Sequence, residues 1–270
     1  MKFGIVYPNT DEYLKPELAS EVSIRAERAG FKVLLTWDHY MVPRTNRTMD
    51  AWTFLSFIAA RTNSIQLGTC VTPIPLRNPA ILAKIVATLD VLSGGRVLLG
   101  AGAGWHRPEF DAFSVWDEPK IRVAKVEEGI HLITTLWKEE RVSYKGKYYS
   151  VKDASIEPKP VQKPYPEIWF GSTGRKMLSI ALRFGTGWIP TMIDLDKYTN
   201  ISSTLLRKRP DLKLAYNLYD PLYDYHSYVD LIEKLNDAKC QYLIINWRYK
   251  PDEMVKRIDW FAKELINSFS

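Results

Sequence analysis

The segment Ile65–Trp105, IQLGTCVTPIPLRNPAILAKIVATLDVLSGGRVLLGAGAGW, constrains the fold of this chain more than any other. It holds two short apolar runs, Ile65–Val71 and Val97–Ala101, each too short for a globular helix. Neither alternates with polar residues, as expected for strands buried on both faces of a parallel sheet. Between them a helix is well signed: Asn78 can cap it, Pro79 suits the first helical position and Gly94-Gly95 ends it. Strand, helix and strand at this spacing make a right-handed crossover, the unit of an α/β protein. Thr72-Pro73-Ile74-Pro75 and Gly100, Gly102 and Gly104 decorate the strand ends. Glycine there lets a flat ligand approach the backbone, so a site is expected at these ends.

The same alternation runs through the chain. Strands are expected at Lys2–Pro8, Lys32–Thr36, Glu167–Gly171, Gly187–Met192, Leu212–Tyr219 and Gln241–Trp247, besides the two above. Helices are expected at Pro16–Ala29, Ala51–Arg61, Ile121–Trp137, Arg175–Phe184, Leu195–Arg209, Ser227–Ala238 and Pro251–Phe269. Between Arg141 and Pro166 the pattern breaks. Val142–Tyr144 and Tyr148–Val151 flank Lys145-Gly146-Lys147 as a small hairpin, and Glu157–Pro166, with four prolines, reads as an extended connector. Eight strands alternating with helices predict one domain, residues 1–270: a (β/α)8 TIM barrel with a short insertion after the fourth helix. An open doubly wound sheet is the alternative.

At 270 residues and 46% hydrophobic content the chain can bury one large core. Two cysteines, Cys70 and Cys240, both in apolar runs, argue against a disulfide scaffold and for a reducing compartment. No charged-then-apolar leader and no apolar run of about 20 residues is present, which predicts a cytoplasmic protein without a membrane partner. The +6 charge is dispersed and no recognition motif accompanies it, so an anionic cofactor or substrate explains it better than nucleic acid.

Barrel active sites lie at the C-terminal strand ends. Here these collect Trp37-Asp38-His39, Cys70-Val71-Thr72, Gly102–Trp105, Gly171-Ser172-Thr173-Gly174, Trp188, Asn217 and Trp247. His39 could relay a proton beside a hydride centre, or be a loop histidine bonded to a carbonyl. Asp38 could orient it only if the chain turns between them, because adjacent strand residues face opposite ways. Gly100–Trp105 is no Rossmann fingerprint: Trp105 stands at the third glycine and no helix is expected directly after it. Gly171–Gly174 precedes a helix start, where free amides suit a phosphate or form an ordinary turn. No ligand spacing supports a metal. Trp37, Trp105, Trp188 and Trp247 favour an aromatic-lined pocket.

Several segments together resemble the luciferase-like flavin and deazaflavin oxidoreductases along nearly the whole chain. These are Thr36–His39, Leu67–Val71, Arg77-Asn78-Pro79, Leu89–Arg96, Leu99–Trp105, Glu109-Phe110, Pro158–Gln162 with Pro164, and Trp169–Gly171 through Gly187-Trp188. The resemblance implies a (β/α)8 barrel, a homodimer, and a ring cofactor held at the mouth by Cys70, Val71, Thr72, Gly102 and Trp105. It makes Gly171, Ser172, Thr173 and Gly174 the phosphate loop and Cys70-Val71 a non-proline cis peptide behind the ring. It makes His39 the proton donor or acceptor with Asp38 its neighbour, and places Trp37, Tyr40 and Trp188 in the substrate pocket.

Trp-Asp-His-Tyr followed by Pro43 resembles the coenzyme F420 branch more than the flavin monooxygenases. One departure is Trp105, which stands where some deazaflavin dehydrogenases place a glutamate. The expected activity is hydride transfer between F420 and a small organic substrate. Deazaflavin has a carbon where flavin has its reactive nitrogen, so oxygen chemistry is not expected of it. The alternatives are an FMN-dependent monooxygenase fed reduced flavin by a separate reductase, and a flavin-binding protein without turnover.

Overall fold

The computed structural model describes residues 1–43, 45–219, 222, 224–246 and 249–269. Eight strands form its centre: β1 (Lys2–Tyr7), β2 (Val33–Thr36), β3 (Gln66–Thr69), β4 (Val97–Gly102), β5 (Glu167–Phe170), β6 (Gly187–Trp188), β7 (Lys213–Leu218) and β8 (Tyr242–Ile245). Each pairs in parallel with its neighbours, β8 returns to β1, and Leu67↔Val97 and Gly68↔Leu98 join β3 to β4. The sheet therefore closes on itself. Around it lie α1 (Pro16–Arg28), α2 (Ala51–Ala59), α3 (Pro79–Leu92), α4 (Pro119–Lys138), α5 (Arg175–Phe184), α6 (Leu195–Lys208), α7 (Tyr225–Asp237) and α8 (Pro251–Phe261). This is a (β/α)8 barrel; an open doubly wound sheet is excluded by the β3–β4 closure.

Local signals place the helices as the sequence predicts. Asn78 Oδ1 accepts from the amides of Ala80 and Ile81, with Pro79 first in α3, and the chain leaves α3 through Gly94 and Gly95 at φ +67° and +85°. Asp50 caps α2 through the Thr53 amide. Four expectations change. A seven-residue helix, Arg107–Phe113, starts two residues after Trp105. The sixth strand is only Gly187–Trp188, and Tyr148 and Tyr149 lie in the hairpin turn, because Glu128 of α4 accepts their amides at 2.8 and 2.7 Å. The hairpin strands are Val142–Lys145 and Ser150–Ala154. The closing helix passes through a π-helical stretch, Ala262–Ile266. Trp247 lies outside the described residues.

Period-2 alternation splits the core into two. Phe3, Ile5, Tyr7, Leu34, Leu99, Ile168, Phe170, Trp188, Leu214, Leu243 and Ile245 face the helices. Val6, Val33, Leu35, Leu98, Trp169, Ile189, Ala215, Tyr242 and Ile244 fill the barrel interior.

At Gly100 a Cβ would stand 1.8 Å from the Thr69 carbonyl oxygen, so the glycine serves close strand packing rather than ligand approach. The obstacle is backbone and cannot rotate away. Gly100→Ala is expected to lower stability by about 3 kcal/mol or more, read as an earlier midpoint in urea unfolding.

Candidate active site

Carrying the inward alternation to the C-terminal ends of the strands and just beyond them builds the mouth of the barrel. Leu35 leads to Trp37 and His39, Gly68 to Cys70, Gly100 to Gly102, Trp169 to Gly171, Ala215 to Asn217 and Ile244 to Asn246. These residues line a cavity of about 680 Å³, joined by Thr10 and Asp11 after β1 and Thr191 and Met192 after β6. All eight strand ends contribute. Trp37, Cys70 and Val71 rest directly on the interior core, so the cavity floor is rigid.

Val71 is the centre of that floor. The Cys70–Val71 peptide is cis, as the sequence resemblance implies. Glycines surround its side chain: a Cβ at Gly102 would lie 2.5 Å from Val71 Cγ2, and one at Gly171 2.7 Å from Cγ1. The glycines at these two strand ends thus make room for Val71. Gly104, at φ +78°, turns the chain against the Phe110 ring and sends Trp105 to the rim, 63% exposed.

His39 lines the cavity, with Trp105 edge-on at 5.6 Å between ring centroids. Its Nδ1 lies 2.8 Å from Glu109 Oε2, and Glu109 Oε1 accepts the Tyr40 amide at 2.6 Å. In the sequence Glu109 stands out only as part of a segment that resembles the family, because the seven-residue helix that brings it to His39 leaves no periodic signal.

Asp38 faces away from the cavity. Adjacent strand residues diverge, and Asp38, 2% exposed, accepts from Thr72 Oγ1 at 2.7 Å and from Arg77 at 2.5 and 3.1 Å. Arg77 also reaches Asp50 at 2.8 Å. Burial works against the Arg77 charge, but Asp38 and Asp50 more than reverse this and hold the guanidinium protonated. Burial likewise raises Asp50, yet Arg77 and the Thr53 amide bring its carboxyl below the usual range. Asp38 and Thr72 therefore join Arg77 in a buried brace, not in the cavity.

Trp188 and Tyr40, also expected in the pocket, lie outside the cavity lining. Trp188 is fully buried against Tyr198, with centroids 5.2 Å apart, and donates from Nε1 to the Ser172 carbonyl at 2.7 Å. Tyr40 lies beneath Arg77 and edge-on to Phe113, outside the cavity lining. Gly171 and Ser172 line the cavity while Thr173 and Gly174 continue beyond it to α5, whose first turn has no side-chain cap. The Gly174 amide donates to Ser172 Oγ at 3.3 Å, and among the described residues no side chain caps the amides that follow it, a helix start that suits an anion.

Cys70 lies with its sulfur 3.4 Å from Asn217 Nδ2, and burial pushes its thiol up to about 12; burial raises Cys240 to about 11. The thiolate fraction at pH 8 is then lower than that of a free cysteine by roughly a hundredfold or more. Both thiols are expected to react slowly with a chromogenic disulfide reagent until the protein is unfolded in guanidinium.

A sequence model of the luciferase-like monooxygenase family matches residues 1–205. The chain belongs to that family. Among curated luciferase-like relatives, the F420-dependent glucose-6-phosphate dehydrogenase of Kineococcus radiotolerans is 35% identical over 194 residues, 71% of this chain and 56% of that protein. The chain thus spans about half the length of such relatives. Two solved structures share the luciferase-like barrel. One is an F420-dependent secondary alcohol dehydrogenase in complex with an F420–acetone adduct, with TM-score 0.85 and 20% identity over the whole of both chains. The other is a long-chain alkane monooxygenase, with TM-score 0.82 and 12% identity over 99% of this chain and 92% of that one. At such identities the likeness concerns the fold, which serves both chemistries. No helix among the described residues is long and apolar enough to cross a membrane.

Proposed function

We propose that this protein is an oxidoreductase that moves a hydride between coenzyme F420 and a small organic substrate, with His39 handling the accompanying proton. The observation that carries the reading is the placement of His39. It stands in the cavity with Nδ1 committed to Glu109, leaving Nε2 as the ring nitrogen available for exchange. The 35% identity to an F420-dependent dehydrogenase supports the choice of cofactor.

The cavity fits such a group. Asn217 Oδ1 and Asn246 Oδ1 are buried on its wall without a hydrogen-bond partner among the described residues, and a ring with an N–H on its pyrimidine edge offers them a donor. Val71, held up by its glycine neighbours, gives a flat ring an apolar support. The uncapped start of α5 after Gly171-Ser172-Thr173-Gly174 suits the phosphate. When bound, the deazaflavin supplies a two-electron hydride acceptor or donor at a ring carbon.

The residues of the chain do the rest. In the oxidative direction the substrate carbon loses a hydride and its hydroxyl proton passes to His39 Nε2, leaving a carbonyl; the reductive direction reverses both transfers. Trp37, Trp105 and Met192 give the cavity apolar surface against which a substrate can pack.

The test is a screen of the purified protein with oxidised F420 against alcohols and sugar phosphates, and with reduced F420 against carbonyls, following the deazaflavin absorbance. Substrate-dependent change without oxygen uptake supports the reading. Turnover only with reduced FMN and oxygen replaces it with the monooxygenase reading, and binding without turnover replaces it with a carrier role.

A further inference from the structure

Glu109 is an acidic side chain 1% exposed, and among the described residues its ion partner is His39 alone. Both carboxylate oxygens are used, and by adjacent residues: Oε2 by His39 Nδ1 at 2.8 Å and Oε1 by the Tyr40 amide at 2.6 Å. Two donors from consecutive residues clamp one carboxylate, so it is fixed in both position and rotation relative to the loop after β2. The short helix Arg107–Phe113 presents it, and that helix is itself aimed by Gly104 turning against Phe110.

An ionised carboxylate only accepts hydrogen bonds, so the proton shared with it resides on Nδ1 of the imidazole. A neutral His39 then carries its lone pair on Nε2. After Nε2 takes a proton, the Nδ1–H bond to Glu109 is unchanged, and the imidazolium stands beside a negative charge. Neither state requires the ring to rotate or a hydrogen bond to be remade. The rings of Trp105, at 5.6 Å, and His106, at 6.4 Å between centroids, also stand beside His39, and among the described residues neither has a hydrogen bond to it.

We propose that Glu109 is a positioning residue for the reaction: it holds His39 in the Nδ1–H tautomer with Nε2 directed to the exchange site. The inference rests on the His39 role proposed above and names the group that makes His39 competent for it. A buried carboxylate of this kind, paired to a reacting histidine, orients the ring and selects its tautomer.

Glu109→Gln separates positioning from mere packing. Glutamine has one acceptor and one NH2 group. The Tyr40 amide needs the acceptor, which turns the NH2 group towards Nδ1 and favours the Nε2–H tautomer. The expected result is a fall in kcat of roughly 10²–10⁴-fold, with KM and the F420 dissociation constant near wild type. Glu109→Asp, which keeps the carboxylate, is expected to recover part of that loss. Nitrogen-15 spectra of the imidazole at pH 8 should show Nδ1–H in the wild type and in Glu109→Asp, and Nε2–H in Glu109→Gln.

Wild-type kcat in Glu109→Gln overturns the proposal, as does equal loss in Glu109→Gln and Glu109→Asp. If Glu109→Gln does not fold, the proposal stands or falls on the wild-type tautomer and on Glu109→Asp activity. The tautomer is readable without cofactor or substrate. A wild-type ring found as Nε2–H removes the positioning role whatever the cofactor proves to be. Absence of F420 turnover with an Nδ1–H ring removes only the proposed function.

Discussion

Replacing His39 by alanine is expected to slow hydride transfer by roughly 10²–10⁴-fold, the usual contribution of a positioned acid–base group. F420 affinity should change little, because the ring contacts proposed here come from Val71, Asn217 and Asn246. The measurement is a single-turnover rate with F420 and any substrate found by screening, beside a binding titration of the same variant. The substitution also leaves the buried Glu109 carboxylate with the Tyr40 amide as its remaining donor, so a modest loss of stability, about 1–3 kcal/mol, should accompany the rate loss. A variant with unchanged rate would return His39 to the status of a loop histidine, and with it would go the proton role.

Arg77→Ala is expected to have the largest effect on stability outside the barrel strands. Arg77 joins Asp38 at 2.5 Å and Asp50 at 2.8 Å, and its side chain is 9% exposed. Asp38 is 2% exposed, with Thr72 Oγ1 as its other donor. Removing the guanidinium strands a buried carboxylate, which costs about 3–5 kcal/mol when one member of such a pair is lost. The opposite partner is less exposed to this penalty, since Arg77 in Asp38→Ala keeps Asp50. The order Arg77→Ala below Asp38→Ala in urea unfolding is therefore the checkable result. Both substitutions also loosen the loop that carries Trp37 and His39, so hydride transfer should fall in parallel with stability rather than independently of it.

The barrel was legible in the sequence because its strands are apolar on both faces and its helices carry their own stop and start residues. Asn78-Pro79 and Gly94-Gly95 bound α3 in the structure as the sequence predicts. Strand parity, applied beyond the last strand residue, would have sorted the site residues as well. It turns Trp37, His39, Cys70, Gly102 and Gly171 inward and Asp38 outward, and it buries Trp188 while Ile189 faces the interior. Tyr40 lies where the chain has left the strand, and Thr72 begins a two-residue strand beyond the cis Cys70–Val71 peptide, so parity counted along β2 and β3 does not carry to them. Glu109 was hidden for a different reason. Its partner is 70 residues away, and the helix that presents it is only seven residues long, below the length at which hydrophobic periodicity speaks. The strand-end glycines suggest space for a ligand, but much of that space is taken by the Thr69 carbonyl and the Val71 side chain.

The most direct test of the account is a fluorescence titration of the purified protein with F420 and, separately, with oxidised and reduced FMN. Saturable F420 binding, tighter than binding of either flavin, is the expected result. That binding should weaken with added salt, because an anionic cofactor meets a protein of formal charge +6. Tighter binding of reduced FMN, or no binding of F420, would contradict the account.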